Sequence, residues 1–106
     1  MAQYVDDVHD VARMIPPGRV TTYGAIADFL TLGSARMVGF AMKQCMPGND
    51  VPAHRVLNRK GELSGRHAFP TPTVMQERLE AEGVQVVNDK VINFDELFWH
   101  PTEIPQ

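Results

Sequence analysis

The chain has 106 residues, of which 43% are hydrophobic and 22% are charged, and its formal net charge is −3. This length predicts one domain over residues 1–106, and no apolar run approaches the ~20 residues of a membrane-spanning helix. The first residues are neither basic nor apolar, and one cysteine can form neither an internal disulfide nor a zinc site. We therefore expect a cytoplasmic protein with no signal peptide, no metal and no cofactor.

Two short helices are predicted in the first thirty residues. Apolar residues recur at helical spacing over residues 4–15, and this first helix has to stop before Pro16. Thr21 or Thr22 can cap a second helix over residues 24–30, because a threonine oxygen can accept a hydrogen bond from a free N–H of the first turn.

A third helix is predicted from residue 35 to about residue 44, with Ser34 as its N-cap. Its inner face would carry Val38, Ala41, Met42 and Cys45, and its outer face Arg36, Gly39, Phe40 and Lys43. Two short helices joined by a tight glycine-containing turn are typical of a helix-turn-helix, whose second helix enters a DNA groove. The outer face is either a solvated surface or a DNA contact at which Gly39 lets the backbone approach closely.

Val56 and Leu57, which follow Pro52-Ala53-His54-Arg55, form a short apolar run that predicts a buried extended segment. Pro52 fixes its own φ and favours an extended residue before it, which disfavours a helix here. His54 and Arg55 would lie beside the apolar pair that comes next, and an unpaired charge in a low dielectric costs several kcal/mol. The two residues are therefore either structural residues with partners at a strand edge or members of a functional site.

A fourth helix is predicted with Thr71 as its cap, Pro72 as its first residue and Gly83 at its end. Met75, Leu79 and Glu82 share one face of this helix. A carboxylate on an apolar stripe in the last helical turn, where the helix dipole disfavours it, requires a cationic or hydrogen-bonding partner. The alternative is that Glu82 extends into solvent beside the glycine.

The C-terminal part is predicted to hold a β-hairpin and a last helical turn. Residues 84–87 and 90–93 are the strands, and residues 88–89 form the polar turn between them. Phe94, Leu97, Phe98 and Trp99 are expected to close the core. Trp99 can alternatively line a pocket.

The charges are distributed unevenly along the chain. Residues 19–66 contain seven basic and three acidic side chains, a formal charge of +4, whereas the rest contains three basic and ten acidic ones, or −7. A basic middle between acidic ends is compatible with one surface that faces phosphates.

Several stretches, taken together, resemble the DNA-binding domain of the O6-alkylguanine-DNA alkyltransferases over about residues 3–83. They are Ile15-Pro16-Pro17-Gly18-Arg19-Val20-Thr21-Thr22-Tyr23-Gly24, Ala35-Arg36-Met37-Val38-Gly39 and Pro52-Ala53-His54-Arg55-Val56, followed by Gly61, Ser64-Gly65 and Glu82-Gly83. The resemblance implies a mainly α fold with a small β-hairpin: a winged-helix-like helix-turn-helix DNA-binding domain of the alkyltransferase type.

The chain departs from the transferases at the residue that carries their chemistry. The position of Ala53 is a cysteine in that family, which accepts the alkyl group as a thiolate, and His54 and Glu82 match the histidine and glutamate that activate it through a water. The resemblance therefore implies a relay without a nucleophile, no catalytic residue, and an alkyltransferase-like protein. Such proteins bind the lesion without repairing it and pass it to nucleotide excision repair. Arg66 stands at a position where the transferases commonly have tyrosine, and it is similar to the arginine with which the alkyltransferase-like proteins probe the damaged base. Met46-Pro47 replaces the transferases' Asn-Pro.

The resemblance also implies how a monomer would bind double-stranded DNA that contains O6-alkylguanine. The third helix would enter the minor groove, Arg36 would fill the space left by an extruded base, and Tyr23 would push on the adjacent phosphate. The expected DNA contacts are Thr22, Tyr23, Ala35, Arg36, Gly39 and Lys43. The expected lesion pocket consists of Ala53, Val56, Ser64, Gly65 and Arg66, with the small Ala53 leaving room for the alkyl group. Nucleotide excision repair proteins are the implied partners, no membrane is involved, and the protein would associate with the nucleoid when bound to DNA.

Two other functions are compatible with the same residues. The chain could be an active alkyltransferase or a hydrolase, using Cys45 or a water activated by His54 and Glu82. It could also be a helix-turn-helix transcription regulator that binds one undamaged sequence tightly, in which case the matches at Tyr23 and Arg36 are coincidental.

Overall fold

The computed structural model describes residues 3–44 and 50–104, which form a mainly α fold with a small β-hairpin. In chain order its elements are α1 (Gln3–Arg13), β1 (Thr21–Thr22), α2 (Tyr23–Phe29), α3 (Ala35–Lys43), β2 (Val56–Leu57), α4 (Val74–Ala81), β3 (Val86–Val87), β4 (Lys90–Val91) and α5 (Phe94–Leu97). Short 3-10 turns occupy Ala53–Arg55, Arg66–Ala68 and Pro101–Glu103. Within the described residues, every helix is too short or too polar to cross a bilayer.

Helices α2 and α3 form the predicted helix-turn-helix, and α1 packs against α3. Helix α2 begins where the sequence predicted, because Thr22 Oγ1 accepts the Ala25 N–H at 3.0 Å. In the following turn the Leu32 N–H donates to the Ala27 carbonyl at 2.9 Å, which reverses the chain before α3. Ser34 occupies the predicted N-cap position of α3, although its side chain makes no capping hydrogen bond. Helix α3 packs against both α1 and α2, and Arg36, Phe40 and Lys43 on its outer face are exposed.

The buried side chains form two apolar clusters. The first lies among α1, α2 and α3 and includes Trp99, which is 3% exposed and so has the predicted core role. The second lies among α4, the hairpin and the residues that come after β2. Strands β1 and β2 pair in parallel, with Thr21 opposite Val56. Strand β2 joins the two clusters, because Val56 belongs to the first and Leu57 to the second.

The hairpin prediction is confirmed, with strands shorter than predicted. Val86 pairs with Val91 and Val87 with Lys90. The two turn residues, Asn88 and Asp89, have φ of 52° and 60°. Asparagine and aspartate adopt this left-handed region more readily than most residues, which explains the tight turn.

Two local predictions are wrong. Residues 53–55, where the sequence disfavoured a helix, form a 3-10 turn, because the Arg55 N–H donates to the Pro52 carbonyl at 3.0 Å; Val56–Leu57 is the predicted extended segment. Helix α4 does not start at Pro72: its N-cap is Thr73, whose carbonyl accepts the Glu77 N–H at 2.9 Å. Its C-terminal end is as predicted, followed by Gly83 with φ of +88°. Cys45 and Met46-Pro47 lie outside the described residues.

Candidate nucleic-acid interface and base pocket

The outer face of α3 forms one wall of a groove of about 500 Å³. The residues that line this groove are Tyr23, Ala35, Arg36, Gly39, Phe40 and Lys43. Arg36 and Lys43 are exposed, whereas Val38, Ala41 and Met42 on the opposite side of the helix are buried. The two faces predicted for this helix are therefore present, and the groove carries two cations.

Gly39 has no steric role inside the protein. A Cβ built at this position meets no atom within 4 Å, so an alanine would fit in the free protein. Glycine in a helix interior is less favourable than alanine by about 0.8–1.0 kcal/mol. A glycine that costs stability and avoids no internal clash is consistent with close approach of another molecule to the helix backbone.

A smaller pocket of about 150 Å³ adjoins the groove. Its lining consists of Tyr23, Gly39, Met42, Lys43, Ala53, Ser64, Gly65, Ala68 and Phe69. Tyr23, Gly39 and Lys43 line both the pocket and the groove. A group that leaves a partner bound in the groove therefore has a direct path into the pocket.

The structure places three of the five predicted pocket residues, Ala53, Ser64 and Gly65, in the lining. Val56 is instead fully buried in the first apolar cluster. Arg66 lies outside the lining: its Nη1 donates to the Leu63 carbonyl at 3.0 Å, and its Nε lies 3.6 Å from Asp89 Oδ2.

The sequence did not identify Met42, Ala68 and Phe69 as pocket residues. Met42 follows the buried spacing of the inner face of α3, and Phe69 precedes a proline in a loop, so neither position carries a local signal. Thr22 was predicted to contact DNA, but it is buried, and its hydroxyl oxygen caps α2. Its contribution is to fix the start of the helix that carries Tyr23.

Tyr23 reaches from the start of α2 to the loop at residues 64–65. A Cβ on Gly65 would lie 2.7 Å from the Tyr23 hydroxyl oxygen, so only glycine fits there without a shift of the tyrosine. Burial raises the pKa of Tyr23, and a hydrogen bond with Ser64 opposes this in part. Tyr23 is therefore a neutral phenol at the boundary between the groove and the pocket.

Glu82 has the partners that its position on an apolar face required. Its Oε2 accepts from Arg55 Nη2 at 2.6 Å and contacts His54 Nε2 at 2.9 Å. Its Oε1 accepts from Arg55 Nε at 3.0 Å and from the Gly18 N–H at 3.3 Å. Arg55 also donates to the Ile15 carbonyl at 2.8 Å. One carboxylate thus joins the end of α4, the turn that carries Ala53 and the segment after α1.

The protonation states of this cluster result from its burial and contacts. Burial alone would raise the pKa of Glu82, but hydrogen bonds from Arg55, His54 and Gly18 outweigh it and lower the pKa to about 2. Burial lowers the pKa of His54, against the opposing effect of Glu82. A neutral His54 beside an ionised carboxylate carries its proton on Nε2. Nδ1 is then an unprotonated, buried acceptor without a hydrogen-bond partner in the described part of the chain.

Comparison with known proteins identifies the class to which this fold and site belong. Residues 3–84 match the family described as 6-O-methylguanine DNA methyltransferase, DNA binding domain. Alkyltransferase-like protein 1 of Schizosaccharomyces pombe is 38% identical over 106 residues, covering 95% of this chain and 98% of its own length. The DNA base-flipping protein of Vibrio parahaemolyticus is 35% identical over 104 residues, covering 95% of this chain and 100% of its own.

Solved structures give the same result. The crystal structure of S. pombe Atl1 in complex with damaged DNA containing O6-carboxymethylguanine matches with a TM-score of 0.85 at 37% identity, over 95% of this chain and 98% of that one. The chain belongs to the family of 6-O-methylguanine DNA methyltransferase DNA-binding domains. Within that family it is an alkyltransferase-like protein, as its full-length match to the S. pombe protein shows.

Proposed function

We propose that this protein recognises O6-alkylguanine in duplex DNA by extruding the damaged base into the 150 Å³ pocket, without removing the alkyl group. The observation that carries the proposal is the junction of the pocket with the groove on α3, at Tyr23, Gly39 and Lys43. The names of two relatives support it, one an alkyltransferase-like protein and the other a DNA base-flipping protein.

Helix α3 would enter the minor groove of the duplex. Ala35 and Gly39 keep its outer surface small enough for a narrow groove, and the exposed Arg36 would occupy the space that the base leaves. Tyr23, at the boundary between groove and pocket, would push the nucleotide outward. Extrusion costs a few kcal/mol and costs least for a damaged base, so part of the selectivity arises before the pocket is reached.

The pocket would then hold the base through a largely apolar wall with a few polar groups. Tyr23 and Phe69 offer aromatic surfaces, and Ser64 offers a hydroxyl. Ala53 places a methyl group where a larger side chain would fill the space, which leaves room for the alkyl substituent.

We infer that the enclosed lesion and the bent duplex present a signal to nucleotide excision repair proteins, and that the protein acts as a cytoplasmic monomer associated with the nucleoid.

The proposal of binding without reaction rests on the chemistry of Ala53. Alkyl transfer needs a nucleophile at the pocket wall, and an alanine methyl group has none. The unpaired Nδ1 of His54 favours one alternative, in which it activates a water to hydrolyse the alkyl group. The two functions differ in the fate of the alkyl carbon.

The test compares one duplex with and without O6-methylguanine, with the methyl group isotopically labelled. We expect tighter binding to the modified duplex and all label still in the DNA after prolonged incubation. Mass spectrometry of the protein detects transfer, and counting the small-molecule fraction detects hydrolysis. Label on the protein or in solution would contradict binding without reaction, and equal affinity for the two duplexes would contradict lesion recognition.

A further inference from the structure

Phe40 is an exposed aromatic residue on the outer face of α3. It is 52% exposed, and its side chain belongs to neither apolar cluster. Phenylalanine is also a poorer helix former than alanine, lysine or glutamate, so local helix stability does not explain it. Single exposed apolar side chains are common on protein surfaces, so the evidence for a partner is the position of Phe40 in the groove beside Arg36 and Lys43 rather than its exposure alone.

The position of Phe40 on the helix defines that partner. Arg36, Phe40 and Lys43 have the spacing i, i+4 and i+7, which places them on one stripe, and all three line the groove of about 500 Å³. Arg36 and Phe40 lie about 6 Å apart along the helix axis, at ~1.5 Å per residue. This is less than two base-pair spacings of about 3.4 Å, so both side chains can reach the same or neighbouring base steps.

Apolar side chains inserted beside cations are a recurring feature of minor-groove binding. Such wedges partly unstack a base step and bend the duplex away from the protein, while neighbouring cations neutralise phosphates. The stripe of cation, aromatic ring and cation on α3 has this composition. A purely electrostatic surface would gain nothing from the phenyl ring.

We infer that Phe40 is a second minor-groove contact, an apolar wedge beside Arg36 that supports bending of the duplex. This inference rests on the proposed binding of DNA by α3, but it does not require recognition of a lesion. Arg36 would replace the extruded base, and Phe40 would pack against the sugars and base edges of the adjoining step. The contact should therefore be made on damaged and undamaged duplexes alike.

The test measures binding of Phe40→Ala to both duplexes at two salt concentrations. We expect affinity for each duplex to fall about tenfold, equivalent to ~1.4 kcal/mol, with the salt dependence unchanged, because no cation is lost. Lys43→Ala, by contrast, should reduce the slope of log affinity against log salt by about 1. Fluorescence energy transfer between labelled duplex ends should show a smaller bend with Phe40→Ala, and Phe40→Leu should retain most of the bend and affinity.

The controls separate this contact from folding and from lesion recognition. Ile92→Ala removes an apolar side chain of similar exposure, 50%, from the hairpin region and should leave DNA affinity unchanged. The melting temperature of Phe40→Ala should equal or slightly exceed that of the parent, because alanine is the better helix former. Unchanged affinity and bend for Phe40→Ala, or a reduced salt slope like that of Lys43→Ala, would overturn the inference. If the parent binds both duplexes equally, lesion recognition fails, yet the loss with Phe40→Ala still supports the wedge.

Discussion

At the scale of single residues, Glu82 fixes the position of the turn that carries Ala53 in the pocket wall. His54 and Arg55, its two side-chain partners, directly follow Ala53 in the chain, and the Gly18 N–H is its third donor. The position of the Ala53 methyl group in the pocket therefore depends on a carboxylate at the end of α4. In the transferases, the resemblance assigns the matching glutamate to a catalytic relay; here its contacts give it a structural role as well.

Glu82→Gln should lower the free energy of unfolding by roughly 3 kcal/mol. The amide keeps the shape of the side chain but removes the charge that compensates Arg55, whose side chain is only 13% exposed, and loss of one partner of a buried ion pair costs on this order. Urea denaturation of the two proteins measures the difference. Glu80→Gln changes an exposed carboxylate on the same helix and should stay within about 0.5 kcal/mol of the parent. Equal stability of Glu82→Gln and the parent would contradict the role assigned to the cluster.

The same cluster predicts that acid destabilises the fold in two steps. The pKa of His54 lies below its ordinary value of 6.5 in the folded protein, and that of Glu82 lies at about 2 instead of 4.5. Both groups bind fewer protons in the folded than in the unfolded protein. Their contribution to the free energy of unfolding is therefore complete above pH 6.5 and is lost as the pH falls. Urea midpoints should decrease first as the pH falls below 6.5 and again below 4.5. A constant midpoint between pH 7 and 4 would refute this.

Ala53→Cys should restore some methyl transfer from O6-methylguanine. The new thiol would stand on the pocket wall and directly precede His54, whose Nδ1 has no hydrogen-bond partner in the described part of the chain and whose Nε2 contacts Glu82. Mass spectrometry would detect one methyl group on the protein. Ala53→Ser, which is similar in size but lacks a thiolate, is the control and should form no adduct. If the cysteine variant binds the lesion and forms no adduct, the geometry at Arg66 or the pocket shape no longer permits transfer.

At the scale of helices and strands, the sequence correctly predicted those features that a few neighbouring residues determine, such as helix caps. Thr22 caps α2 and Gly83 follows the C-cap residue of α4, as predicted, because a cap is decided within three or four residues. The predicted start of α4 was wrong because Thr71 and Pro72 suit a turn as well as a first helical turn. The 3-10 turn at Ala53–Arg55 was missed, since proline restricts the residue before it but does not determine the conformation of the residues after it.

The pocket could be predicted only in part, for a related reason. Ala53, Ser64 and Gly65 came from the resemblance, which records the position of a site in the chain. Phe69 and Met42 join them only after α3 and the 66–68 turn have packed around the same space. Contacts between residues so distant in sequence depend on the whole packing arrangement, and neither residue type is specific to a site.

Helix α3 gives a prediction that separates stability from binding. Gly39→Leu should raise the free energy of unfolding by up to about 1 kcal/mol, because leucine is the better helix former and its Cβ meets no atom within 4 Å. The free energy of DNA binding should nevertheless weaken by roughly 1–3 kcal/mol, as for loss of a specific contact. The leucine side chain would hold α3 away from the floor of the DNA minor groove. Gly39→Ala should give the same gain in stability and a smaller loss of affinity. A leucine variant that binds DNA like the parent would show that this surface does not approach DNA.

At the scale of the whole molecule, the pocket lies between the two apolar clusters. Tyr23 and Ala53 pack against the first cluster, whereas Phe69 packs against the second. The loop that carries Ser64 and Gly65 is tied to the hairpin, because the Leu63 N–H donates to the Asp89 carbonyl at 2.9 Å. The DNA-binding helices thus form one side of the pocket, and the hairpin half of the molecule forms the other. A base that enters the pocket would contact both halves.

Arg66 stands at the junction of the loop and the hairpin. Its guanidinium lies 3.6 Å from the carboxylate of Asp89, in the hairpin turn, and its side chain is 30% exposed. An ion pair of this exposure contributes at most about 1 kcal/mol, so it can exchange for another contact at small cost. For Arg66 to probe an extruded base, as the resemblance implies, it has to leave Asp89 and turn towards the pocket.

Arg66→Ala should therefore reduce discrimination between lesion and undamaged duplex more than it reduces affinity for undamaged DNA. A cation over an aromatic ring contributes roughly 0.5–2 kcal/mol, and alkylation at O6 changes the charge distribution of the ring that it contacts. Asp89→Asn, which suits the left-handed backbone of that turn (φ 60°), removes the ion-pair partner of Arg66 and should preserve or increase discrimination. Titration of both duplexes at two salt concentrations measures these effects. Equal losses on the two duplexes with a shallower salt dependence would make Arg66 a phosphate contact instead of a lesion sensor.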